Sequence, residues 1–107
     1  MNKFIFVALC FFGVTAASSA TAQELEDYIN ACIGGAGELS NEEVVAACTY
    51  LIDNAQAENE TVGYFYAMRA ISNSDNELNC SDGMKAKELV TDPSLSGAID
   101  QIIENNC

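Results

Sequence analysis

The 107-residue sequence contains no histidine, no tryptophan, a single proline and only four basic side chains against 16 acidic ones. Without histidine the chain lacks the commonest general base and the commonest metal ligand, and no Ser/His or Cys/His pair can be assembled. A formal net charge of −12 excludes nucleic-acid binding, because phosphate recognition requires a Lys/Arg surface. No stretch alternates apolar with polar residues in the manner of a β-strand. The short length leaves room for one domain. These absences favour binding over chemistry: no enzyme, no cofactor and no metal is expected.

What is present begins with Lys3 and an apolar run over residues 4–14, followed by small residues ending in Ala20-Thr21-Ala22. This is the three-part pattern of a secretory signal, and the run is too short to span a bilayer. Cleavage after Ala22 is expected, giving a signal peptide over residues 1–22 and a single α-helical domain over 23–107. The mature chain keeps all 16 acids and loses Lys3, so its side-chain charge is 3 − 16 = −13. No second apolar run exists, so no membrane association is expected after cleavage.

Four cysteines then remain: Cys32, Cys48, Cys80 and Cys107. An even number in a short exported chain reads as two disulfides. No pair has C-x-x-C spacing and no histidine completes a mixed site, which argues against zinc and redox roles. Three pairings are possible; Cys32–Cys48 with Cys80–Cys107 is favoured because each would staple neighbouring helices. In the chain-entropy model such loops contribute about 3 and about 3.5 kcal/mol. A core this small supplies only ~3–5 kcal/mol by itself.

The periodicity predicts an all-α chain of about five short helices. Leu25, Tyr28, Ile29 and Cys32 recur at helical spacing, and Gly34-Gly35 stop the segment. Ser40 and Glu43 form a capping-box pattern ahead of Val44, Ala47, Cys48, Leu51 and Ala55. A third helix begins at Asn59 or Glu60 and carries the aromatic cluster Tyr64, Phe65 and Tyr66. A polar loop is expected over residues 72–79, with Asp82 capping a short helix through Val90. Asp92-Pro93 is a strong start signal for the last helix, whose apolar face is Leu95, Ala98, Ile99, Ile102 and Ile103.

The candidate partner-binding residues are Tyr50, Tyr64, Tyr66 and Arg69. Tyr64, Phe65 and Tyr66 are adjacent and cannot all face one side, and an exposed tyrosine often marks an interface. Arg69 either anchors an acidic partner group or pairs with one of the chain's own carboxylates, the second being the commoner arrangement. The oxygen-rich run from Asn73 to Asn79 invites a calcium reading. An EF-hand requires glycine at its sixth position and glutamate at its twelfth, and neither a start at Asn73 nor one at Asp75 supplies them.

The segments Ala47-Cys48-Thr49-Tyr50-Leu51-Ile52-Asp53 and Tyr64-Phe65-Tyr66-Ala67-Met68-Arg69-Ala70 resemble the first helical pair of tetratricopeptide-repeat-like proteins exported by proteobacteria. Cys32 matches the cysteine common ahead of that pair, and Gly83, Ala86, Leu89 and Asp92-Pro93 resemble a degenerate continuation. The resemblance implies helical hairpins acting as an adaptor or scaffold that binds another protein. It covers one and a half repeats where about three normally make a stable solenoid, so the disulfides would replace missing neighbours. A second resemblance is to Tai-type immunity proteins. It rests on Cys48-Thr49-Tyr50-Leu51, Cys80, Pro93 and Cys107, and it implies inhibition of a secreted toxin.

Together these readings predict a periplasmic or secreted bacterial protein that binds another protein without catalysis. Its charge suits a basic partner through electrostatic steering, and the surface of the second and third helices is the expected contact region. A carrier of a small apolar ligand, enclosed by the amphipathic helices, is the reading from another class.

Overall fold

A computed structural model describes residues 22–34 and 39–107. Five helices follow one another: α1 (Ala22–Cys32), α2 (Asn41–Asn54), α3 (Asn59–Ser72), α4 (Asn76–Leu89) and α5 (Pro93–Asn106). No strand occurs among the described residues. The expected signal segment lies outside them except for Ala22, which opens α1.

The helix boundaries have local chemical causes. Gly34 closes α1 with φ of 81°, a left-handed conformation that glycine adopts without a Cβ penalty. Ser40 caps α2 through a complete capping box: its hydroxyl accepts from the Glu43 amide at 3.2 Å, and Glu43 accepts from the Ser40 amide at 3.0 Å. Asp92 caps α5 by accepting from the Ser94 amide, with Pro93 in the first turn. Each of α2, α3 and α4 packs against both sequence neighbours.

One boundary departs from the sequence reading. The polar stretch expected to be a loop through Asn79 is mostly helix, because Asp75 caps α4 by accepting from the Glu77 and Leu78 amides. Asp82, expected as the cap, sits in the second turn of α4 and is buried. Its charge is engaged by Arg69 instead.

The interior divides into two clusters. Val44, Ala47, Cys48 and Leu51 form the buried stripe of α2 at positions i, i+3, i+4 and i+7, and they enclose Cys32 and Phe65. The second cluster joins Ala67 and Ala70 of α3 to Ala86, Val90, Ile99 and Ile102. Helix α3 therefore has two buried faces, with Phe65 in one cluster and Ala67 in the other. Gly63 lets α3 approach α4 closely: a Cβ there would stand 2.6 Å from Val90 Cγ2. Two disulfides form in the favoured pairing: Cys32–Cys48 lies within the first cluster, and Cys80–Cys107 joins α4 to the residue after α5. Such bridges fit an oxidising, exported compartment.

Candidate functional site

Arg69 reaches from α3 to α4 and grips Asp82 with two parallel hydrogen bonds, Nε to Oδ2 and Nη2 to Oδ1, both 2.8 Å. Nη1 donates to the Thr49 hydroxyl of α2 at 3.1 Å, and that hydroxyl donates to the Val45 carbonyl. The guanidinium also lies over the Tyr66 ring, 5.5 Å from its centroid, within cation–π range. Its pKa is raised, chiefly by the hydrogen bonds to Asp82 and against the opposing effect of burial. The bidentate geometry is the strong form of a charge-assisted pair. This cluster ties α2, α3 and α4 together between the two apolar cores.

A second feature is a groove of about 670 Å³ between α1 and α2. Tyr28 and Tyr50 both line it and stack on one another, with ring centroids 4.0 Å apart and planes inclined by 17°. Ala31, Leu39, Ala46 and Ala47 supply its apolar lining, and Glu24, Asp27 and Glu43 contribute carboxylates. Tyr28 and Ile29 of α1, with Ile33 just after it, leave a further apolar edge, each 36–37% exposed. The groove thus combines an aromatic anchor, small side chains that keep it open, and negative charge.

On the opposite half, a groove of about 460 Å³ lies between the α3–α4 connector and α5. Asparagine and glutamine dominate its polar lining. Asn79, 4% exposed, donates from Nδ2 to the Asn73 carbonyl at 2.7 Å and to Asn106 Oδ1 at 3.4 Å, while Asn106 donates to the Ile102 carbonyl. The carboxamide oxygen of Asn79 is buried with no partner. Leaving such an acceptor unpaired costs about 1–3 kcal/mol.

Glu60 joins the start of α3 to the connector before α5. Its carboxylate accepts from the Thr91 amide and hydroxyl and from the Asp92 amide, all at 3.0 Å. These donors, the backbone amides first, hold its pKa below the usual carboxylate range. The Asp92 carboxyl is lowered too, by the Ser94 amide and hydroxyl that it caps.

The four candidate partner-binding residues are not gathered at one place. Tyr50 lies in the α1–α2 groove. Arg69 and Tyr66 meet at the internal ion pair, in which Arg69 is only 22% exposed. Tyr64 is half-buried and lines neither groove. Of the candidate functional residues, sequence reasoning missed Asp27 and the stacking role of Tyr28, because helical periodicity accounts for Tyr28 as an ordinary core-facing position. It also missed the amide groove, whose signal is the density of Asn and Gln at the start of α4 and the end of α5. Among the described residues, no group of three or more acidic or cysteine side chains is arranged to hold a metal ion.

No protein-family model, no curated protein and no solved structure matches this chain.

Proposed function

We propose that this protein is a small periplasmic or secreted binding module that receives a basic, amphipathic segment of another protein in the α1–α2 groove. The observation that carries this reading is the stacked Tyr28–Tyr50 pair in an open groove that also holds carboxylates. Stacked tyrosines offer a large, rigid, amphipathic surface at low entropy cost, and aromatics are enriched in interface centres. The charge distribution supports the same partner. All three basic side chains among the described residues are engaged internally: Arg69 with Asp82, Lys85 with Glu88, and Lys87 with Asp100. The remaining carboxylates leave a strongly negative surface that steers a cationic partner.

The helical hairpins and the resemblance to tetratricopeptide-repeat-like proteins support an adaptor role. The lack of histidine supports binding over catalysis.

The test is titration with a synthetic Lys/Leu amphipathic peptide, read by calorimetry and by amide shifts. Saturable binding that moves α1 and α2 resonances, weakens with added salt and falls about tenfold in Tyr50→Ala supports the reading. Equal affinity for a Glu/Leu peptide, or shifts confined to other helices, would overturn it.

A further inference from the structure

We infer that the amide-lined groove between the α3–α4 connector and α5 is a binding site for a neutral N-acetylated sugar. Six carboxamides line it: Asn73, Asn76 and Asn79 on one side, Gln101, Asn105 and Asn106 on the other. No charged side chain among the described residues joins them, although the chain carries 16 carboxylates. An ionic ligand would find no counter-charge here. A neutral ligand rich in donors and acceptors finds many partners, since each carboxamide offers both an N–H and a carbonyl oxygen.

Asn76, Gln101 and Asn105 are exposed, and their side chains make no hydrogen bond within the described residues. Their full hydrogen-bonding capacity is open to a ligand. Asn79 forms part of the floor of the groove, its Nδ2 held by the Asn73 carbonyl and by Asn106 Oδ1.

The apolar part of the lining favours a sugar over an extended peptide. Ala70, Ile71, Ala98 and Ile102 form its apolar part, a surface that suits the C–H face of a pyranose ring. The amides stand on two facing walls, so they meet hydroxyls that radiate around a ring. A peptide strand would present its polar groups in a line repeating every ~3.3 Å. An acetamido group points its N–H and its carbonyl in opposite directions, so it can donate to a carboxamide on one wall and accept from one on the other. The volume of about 460 Å³ falls in the range of small-molecule sites.

This site lies apart from the α1–α2 groove, and its test is independent of the peptide titration. The oxidised protein is titrated with N,N′-diacetylchitobiose to millimolar concentration, and backbone and side-chain amide shifts are followed. The expected result is saturable movement of the Asn76, Gln101 and Asn105 side-chain amides, with affinity about tenfold lower in Gln101→Ala/Asn105→Ala. Both positions are exposed and outside the internal hydrogen bonds, so the double variant keeps the fold. Absence of saturable shifts, unchanged affinity in the double variant, or equal binding of trialanine amide would each overturn the assignment.

Discussion

Around Phe65, helices α1, α2 and α3 enclose large side chains and a disulfide whose two cysteines are fully buried. Around Ile99, helices α3, α4 and α5 pack three alanines against Val90, Ile99 and Ile102 and approach closely at Gly63 and Gly83, and their disulfide reaches the surface at Cys107. The first half is held by volume and the second by close approach. That difference has a counterpart at the surface. The groove of the first half is aromatic and acidic, whereas the groove of the second is neutral and built of amides. Two small cores sharing α3 let one short chain present two chemically different surfaces.

The sharpest way to break the comparison is to remove volume from each half in turn. Phe65→Ala should destabilise the oxidised protein by about 4 kcal/mol, and Ile99→Ala by about 3 kcal/mol, measured by urea denaturation with both bridges intact. Phe65 is the largest fully buried side chain, so its loss leaves the larger cavity. If Ile99→Ala is the costlier change, the first half does not hold the dominant core.

The junction between the halves gives the next largest effect. Arg69→Leu leaves the 7%-exposed Asp82 side chain without its partner, which should cost about 3 kcal/mol. Adding Asp82→Leu should recover much of that loss, because the penalty comes from an uncompensated charge more than from a missing attraction. A double variant no more stable than Arg69→Leu would show that the pair is net stabilising in its own right.

These residues also show what the sequence makes legible. The starts of α2 and α5 are written locally in Ser40 with Glu43 and in Asp92 with Pro93, and Gly34 ends α1 as its type requires. The start of α4 is not. The first buried positions of that helix are Asn79 and Asp82, so apolar periodicity fails there, and only tertiary partners on α3 and α5 make those polar groups tolerable inside. The same limit applies to the sites. An internal carboxylate partner for Arg69 is the commoner expectation, but its identity among 16 acids depends on helix packing. The stacking of Tyr28 on Tyr50 and the pairing of Asn79 with Asn106 likewise join distant segments that no local pattern connects.

Glycine substitutions separate close approach from helix propensity. Gly63→Ala places a Cβ 2.6 Å from the buried, β-branched Val90 side chain and 3.0 Å from Leu89 Cβ. It should destabilise by about 1–2 kcal/mol despite alanine's better helix propensity. Gly97→Ala, also within a helix, meets nothing within 4 Å and should stabilise by about 0.5–1 kcal/mol. Thermal unfolding of the two variants reads opposite signs. A stabilising Gly63→Ala would mean that α3 and α4 are not held at the distance seen here.

The smallest effect is a pH dependence in the second half, at the Glu60 clasp. The folded-state pKa of Glu60 lies below its ordinary value of 4.5, because the Thr91 and Asp92 amides hydrogen-bond to the ionised carboxylate. Below pH 4.5 the unfolded chain therefore binds a proton before the folded one does. The sign follows: the contribution of Glu60 is fully present above its unfolded pKa and is lost as pH falls through the folded value. Glu60→Gln lacks this titration, and its NH₂ cannot accept from the connector amides. The stability gap between wild type and Glu60→Gln should be widest near neutrality and shrink as the solution is acidified below about pH 4.5. Asp92, whose pKa is also lowered, titrates in both proteins and largely cancels in the difference. Urea midpoints taken across that range would show a constant gap if the connector amides were satisfied by water instead of by the Glu60 carboxylate.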